Sequence, residues 1–295
     1  MTTISQSHTF LHPSQTNIFT SASAFKLMAY TIISTVSQMT TLLKSVSIPT
    51  LTTSAPSLYF DVEGINLSRH GSISIIELHH KPSSRPDESH RYLIDVHILG
   101  FLAFSTPSAE GVSLKMILES PKTPKVFFDV RTDSDAMYAL FGIKLAGIID
   151  LQLMEVASRS WSKTRLRGLG NCIIQDLGLG SQEKQRAEAI KKKGVQLFAP
   201  EKGGSYAVFN QRPMREEIVD YCVQDVVYLP KLFDKYNAKL ANAVRLDPTI
   251  TTSLSTTGSQ NVWAYRVIES SAERVALSQR EDFDSKRMDM KKGPW

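Results

Sequence analysis

The sequence predicts an α/β fold with a mixed central sheet, an antiparallel meander followed by parallel strands, flanked by helices. Three observations predict it. Three strand-like runs, about 57–63, 72–78 and 91–98, are separated by turn signals and precede any long helix. Beyond residue 110 helix-like and strand-like segments alternate. The runs Val126-Phe127-Phe128 and Ile148-Ile149-Asp150 are short and largely apolar, as strands under helices are.

The elements follow in order. Residues 1–30 are rich in Ser and Thr and contain no Asp or Glu, and the expectation there is a mostly disordered segment. Ser34 or Thr35 then opens a helix. Thr35-x-x-Gln38 has capping-box spacing, Val36, Met39, Leu42, Leu43 and Val46 recur at helical intervals, and Pro49 closes it. The first strand leads into a turn from Asn66 to Gly71, the second contains Ile73, Ile75 and Ile76, and a charged, proline-bearing loop (81–90) leads to the third. A helix at 111–119 precedes the strand 126–128; helices at 133–141 and 151–158 bracket the strand 148–150. From 161 to 212 the chain is basic and reads as loop-rich, with glycines at 168, 170, 178 and 180. Pro213, suited to a first turn, opens a long helix at 214–244. After a Ser/Thr-rich linker at 250–260, a last helix from Val262 to about Arg280 spaces Trp263, Val267, Ala272 and Val275 for docking, and the tail 286–295 reads as frayed. The organisation is therefore 1–30 disordered, 31–245 one α/β domain, and 246–295 linker, docking helix and tail.

Composition narrows the function classes. With 295 residues, 42% hydrophobic and 21% charged, the chain has material for one large domain with appendages. Cys172 and Cys222 are the only cysteines and form no C-x-x-C pair, which reads as reduced core thiols in an intracellular protein. No run approaches the roughly 20 apolar residues of a membrane span. The acid-free N-terminus resembles a mitochondrial leader, although Lys26 is the only Lys or Arg before residue 44 and the Arg-rich amphipathic character is missing; nucleus and cytoplasm stay open beside it. A net charge of +5 permits a polyanionic partner without demanding one.

The acids carry the chemistry. In Leu58-Tyr59-Phe60-Asp61-Val62-Glu63 two carboxylates sit two apart on an apolar strand and project from one face. Such a pair is either at a strand end in water or held by a hard divalent cation. On the long helix Tyr221 and Asp225 are four apart and share a face among Ile218, Val219, Val223, Val226 and Val227. Asp133 and Asp135 open the middle helix, where acids also favour the helix dipole. No Cys or His cluster has zinc spacing, and His79-His80, a pair without a spaced partner, reads as surface.

Taken together, these residues resemble the DEDD 3'-5' exonuclease superfamily. Asp61-x-Glu63 looks like its first motif, Asp133, eight residues past Lys125, its second, and Tyr221-x-x-x-Asp225 its third, in the tyrosine subclass. The chain is similar to ribonuclease D, to the Werner-helicase exonuclease domain and, most of all, to stand-alone EXD-type exonuclease-domain proteins. Leu67–Ile75, Asp133–Ala136, Phe141-Gly142-Ile143 and Tyr221–Val226 carry that likeness. Phe128 stands where many relatives have His, and Asp135 competes with Asp133 for the second motif, with the spacing to Phe141-Gly142 favouring Asp133.

The resemblance implies a ribonuclease H-like fold and two-metal hydrolysis of phosphodiester bonds from the 3'-end of single-stranded nucleic acid, DNA or RNA. It implies Mg²⁺ or Mn²⁺ held by Asp61, Glu63, Asp133 and Asp225, with Tyr221 orienting the attacking water. The basic stretch, with Lys163, Arg165, Arg167, Lys191, Lys192 and Lys193, would contact the backbone, or be a solvated surface. The alternative to hydrolysis is a catalytically idle nucleic-acid-binding or scaffold protein of the same fold.

Overall fold

Six strands make one mixed sheet: β1 (Tyr30–Ile33), β2 (Leu58–Glu63), β3 (Ile75–His80), β4 (His90–Asp95), β5 (Lys125–Phe127) and β6 (Ile148–Asp150). Their order across the sheet is β1-β4-β3-β2-β5-β6. β2, β3 and β4 form the antiparallel meander; β1 joins β4, β5 joins β2 and β6 joins β5 in parallel. The helices are α1 (Val36–Val46), α2 (Val96–Leu99), α3 (Leu102–Ser105), α4 (Leu114–Glu119), α5 (Arg131–Phe141), α6 (Leu151–Ala157), α7 (Leu169–Asp176), α8 (Ser181–Phe198), α9 (Glu216–Val227), α10 (Leu229–Leu246) and α11 (Val262–Ser278). This computed structural model describes residues 29–46, 56–82, 86–246 and 262–295. The expected disorder of 1–28 and the linker at 250–260 lie outside them.

The alternation of β2 decides what each face of the sheet does. Leu58, Phe60 and Val62 enter a core with Ile76, Ile94 and Phe127 under α1, α4 and α5, and the Phe60 and Phe127 rings stack with centroids 5.4 Å apart. Tyr59, Asp61 and Glu63 point the other way. There Tyr59 and Val126 pack with α6 and α10, while Ile75 and Leu93 pack with Ile218, Val219 and Cys222 of α9. One strand thus supplies an apolar floor on one face and two acids on the other.

Several boundaries differ from the sequence reading for physical reasons. Tyr30-Thr31-Ile32-Ile33, adjoining a stretch read as disordered, is a strand, its β-branched run satisfied by parallel pairing with β4. The third strand stops at Asp95 because that side chain accepts the Ile98 N–H (3.1 Å) and caps α2. The basic stretch contains α7 and the 18-residue α8. Gln, Glu, Lys, Arg and Ala fill α8, and such residues form helix readily even without an apolar stripe. The long C-terminal helix is two, divided at Tyr228, because Pro230 has no N–H and its ring opposes the carbonyl four residues back. His79 is buried: its Nδ1–H donates to the Val226 carbonyl (3.2 Å) and its Nε2 accepts from Ser89 (2.6 Å). Burial, then Arg91, pushes its pKa down to about 3.

The chain end is built in. α11 packs on α5, β6 and α6 through Val267, Ser270, Ser271, Arg274, Val275 and Ser278, with Ala272 exposed. Arg274 reaches Asp150 at 2.6 Å. The tail is not frayed: it makes a 3₁₀ turn at Met288–Lys291, Gly293 N–H donates to Thr164 (3.0 Å), and Trp295 meets the edge of Trp263. Arg69 ties the β2–β3 turn to this end. Its backbone N–H and Nε donate to Asp135 (2.9 and 2.7 Å), and its guanidinium donates to the carbonyls of Ser278, Arg280 and Glu281. Arg69→Ala leaves the buried Asp135 carboxylate without its cation and uncaps α11, with an expected cost of about 3 kcal/mol. A melting temperature equal to wild type would show that α11 docks independently of this residue.

Candidate active site

The pleat of β2 sets Asp61 and Glu63 on the face covered by α9, which lies across β2, β3 and β4. The helical period brings Tyr221 and Asp225 onto the underside of α9, both buried. α5 presents Asp133 from beyond β5, also buried. Asp61 and Glu63 link the four carboxylates electrostatically. Burial first, then repulsion by Asp225, pushes the Asp61 pKa up to about 8. Glu63 is held well above the usual carboxylate range by burial and then by Asp61 and Asp225. Asp133 is raised by burial, then by Asp61, Asp129 and Glu63. Burial pushes Asp225 up to about 6. Against these, Lys191 of α8 lends its positive charge to Asp61, Glu63 and Asp225, and the Tyr221 hydroxyl lies close to Glu63 and Asp225 without completing a hydrogen bond to either.

The neighbouring acids have other partners. Asp135 is taken by Arg69. Asp129, with left-handed backbone (φ 61°), accepts two bonds from Arg131 at 2.6 and 2.7 Å. Asp150 accepts the Asp129 and Val130 N–H groups and Arg274. Asp133, by contrast, has no ion pair among the described residues, and after burial the charge of Asp61 acts on it most.

Two contributors were missed in the sequence. Glu77 of β3 stands directly opposite Asp61 in the antiparallel register, fully buried, and neither carboxyl oxygen has a hydrogen-bond partner. The Cys222 thiol lies against it without hydrogen-bond geometry. Burial, then Asp61 and Glu63, raise the Glu77 pKa well above its usual range. The signal that marked Asp61, an acid inside an apolar strand, was also present in Ile75-Ile76-Glu77-Leu78. The second is Gly194, in the middle of α8: a Cβ there would lie 2.6–2.8 Å from Cδ2, Cγ and Cβ of Tyr221. Phe198, one turn on, meets the Tyr221 ring edge-on at 5.1 Å. Gly194 and Phe198 together set that ring.

The chemistry of this set is all oxygen and under-compensated, with Asp133 and Asp225 buried and Asp61 and Glu63 half-buried, which is what a hard divalent cation relieves. Among the described residues, no three His, Cys, Asp or Glu side chains already close into a metal cage. Asp61 and Glu63 meet Asp225 on the face of the sheet under α9, and Asp133 of α5 feels the charge of Asp61 and Glu63.

The basic residues separate into two kinds. Lys163 donates to the carbonyls of Val156, Ala157 and Arg159 at the end of α6, and Arg167 pairs with Glu155 (3.1 Å) and Asp176 (3.3 Å). Both are engaged within the fold. Arg165, Lys192 and Lys193 are exposed. Lys191 and Lys192 line a cavity of about 540 Å³ between α7 and α8, with Gly168, Gly170 and Gln224.

A family model described as a 3'-5' exonuclease matches residues 30–241. The mouse piRNA biogenesis protein EXD1 is 32% identical over 111 residues, 38% of this chain and 17% of that protein, so the match spans less than a fifth of its length. In structure, the chain is similar to Trypanosoma brucei RNase D in its GMP complex, with a TM-score of 0.59 and 19% identity, covering 88% of this chain and 68% of that one. The same enzyme complexed with RNA U12 gives a TM-score of 0.59 at 18% identity, covering 88% and 74%. At these identities the structural likeness establishes the mixed α/β fold. No helix among the described residues is long and apolar enough to cross a membrane.

Proposed function

This chain belongs to the 3'-5' exonuclease family, and on that premise we propose that it hydrolyses single-stranded nucleic acid from the 3'-end with two divalent cations. The observation that carries the reading is the crowding of Asp61 and Glu63, on one face of β2, with Asp225 of α9, together with the action of Asp61 and Glu63 on the buried Asp133 of α5. RNA is the favoured substrate class: the similar RNase D is described with RNA U12, and the similar mouse protein is named for piRNA biogenesis.

In this reading Asp61, Glu63 and Asp225 would hold one Mg²⁺ or Mn²⁺, and Asp61, with Asp133 acting directly or through water, would hold the second. Bound there, such ions supply neutralisation of the phosphate, activation of water and stabilisation of the leaving oxygen. The chain's residues do the rest. The Tyr221 hydroxyl, close to Glu63 and Asp225, orients the attacking water; Gly194 and Phe198 hold the ring that carries it. Lys191 offsets the acids on the side of the α7–α8 cavity and meets the substrate phosphate there.

A nucleic-acid-binding role without hydrolysis is the second reading, favoured by the lack of a closed cage among the described residues. Matched single-stranded RNA and DNA oligonucleotides labelled at the 5'-end decide between them. The expected result is a ladder shortening from the 3'-end with Mn²⁺, blocked by EDTA and faster on RNA, together with a rise in melting temperature on adding Mn²⁺. Binding without shortening, and no melting shift, would establish the second reading.

A further inference from the structure

A second cavity, of about 550 Å³, lies between the 165–168 loop and the C-terminal tail, and the proposed function gives it no role. We propose that it binds the phosphodiester backbone of the substrate strand upstream of the 3'-end, through Arg165, Lys291 and Lys292. This rests on the exonuclease reading of the neighbouring acids.

Charge comes first. Of the basic residues in the wall, Arg131 is committed to Asp129, and Arg167 to Glu155 and Asp176. Arg165, Lys291 and Lys292 are exposed, and their side chains make no salt bridge among the described residues. Three uncommitted cations around one concave surface concentrate positive potential and select a polyanion. Met288, 73% exposed, adds a polarizable apolar contact suited to a base.

The second argument is construction. The tail is pinned where it forms the wall: Arg165 bridges Lys292, Leu166 N–H donates to Lys291 (3.0 Å), and Gly293 N–H donates to Thr164 (3.0 Å). Gly293 is packed so closely that a Cβ would lie 1.8 Å from the Lys163 carbonyl oxygen. Trp295 on Trp263, itself beneath Lys163, fastens the end. The backbone therefore presents Lys291 and Lys292 beside Arg165 in a fixed arrangement.

Position is the third. Gly168 is in the wall of both cavities. The first leads to Lys191, whose charge acts on Asp61, Glu63 and Asp225. The second includes Asp129, whose charge acts on Asp133. Two basic cavities with Gly168 in both walls thus lie beside the acids, and a strand with its 3'-end there meets cationic walls along the phosphates behind it.

The test uses the full chain carrying Arg165→Ala, Lys291→Ala and Lys292→Ala together, with Lys122→Ala and Lys144→Ala as a remote surface control. Binding of a 5'-labelled RNA of about 12 nucleotides is followed by fluorescence anisotropy in EDTA over a salt series, and hydrolysis of a dinucleotide is measured with Mn²⁺. The triple variant is expected to bind the long strand at least about tenfold more weakly. Its slope of log K against log salt should flatten by about two, the value for three lost phosphate contacts on a single strand. Dinucleotide turnover should be unchanged. Long-strand affinity and salt slope equal to wild type, or a loss matched by the remote control, would overturn the proposal. A wild-type protein that binds the long strand through these residues yet never shortens it would leave the cavity assigned and refute the hydrolytic reading instead.

Discussion

Asp225→Asn is expected to abolish Mn²⁺-dependent shortening of a 3'-end and, in the same protein without metal, to raise the melting temperature. The two effects have one cause. In the reading proposed here Asp225 is a metal ligand, and losing it removes several kcal/mol of transition-state stabilisation, a fall of about 10³-fold or more. In the metal-free fold the same carboxylate is a buried charge whose pKa is pushed from 3.8 up to about 6. A carboxyl raised in the folded state binds its proton more tightly there than in the unfolded chain. Stability is therefore lost as pH rises from about 4 to about 6, and the loss stays in place above that. The deficit is about 2–3 kcal/mol, which an amide does not incur. The melting gain, roughly 5 °C or more, should appear above pH 6 and vanish near pH 4. Retained turnover would remove Asp225 from the chemistry, and a melting temperature that falls at pH 8 would show that the carboxylate was stabilising the fold.

Such a trade is common where function needs unfavourable groups held together, and it explains which parts of the site the sequence made visible. Asp61 and Glu63 stood out because charged residues in an apolar strand contradict their surroundings. Asp225 stood out for the same reason on a helix of valines. Asp133 and Asp135 both occupy a helix start, and only the spacing to Phe141-Gly142 favoured Asp133 in the sequence. What separates them is Arg69, distant in sequence, which the fold brings onto Asp135 alone. Glu77 carried the same contradiction as Asp61 but gained meaning only from the strand register, a property of pairing that no single segment encodes. The meander and the later alternation were readable because period-2 and helical spacing are local. β1 and α8 were not: β1 is four residues adjoining a polar stretch, and α8 has little apolar periodicity, being held instead by α9.

Gly194→Ala is expected to lower turnover about 100-fold while leaving Mn²⁺ binding, read as the melting shift, near wild type. A glycine in the middle of an 18-residue helix costs about 1 kcal/mol relative to alanine, so its presence calls for a reason. The reason is the Tyr221 ring, too close to admit a methyl group. With Phe198 against its edge and α9 behind it, the ring has nowhere to yield without moving the hydroxyl from Glu63 and Asp225. A displacement of about 1 Å in a positioned group costs turnover on this scale, and the forced contact costs about 1–3 kcal/mol of stability. The metal ligands stay in place, so the loss should fall on kcat rather than KM. A double-mutant cycle distinguishes this from general damage. In a Tyr221→Ala background the obstruction is gone, and Gly194→Ala should then stabilise the protein by up to about 1 kcal/mol, as an ordinary helix-favouring substitution does. If Gly194→Ala destabilises equally in both backgrounds, the glycine serves α8 itself, and the orientation of Tyr221 has another origin.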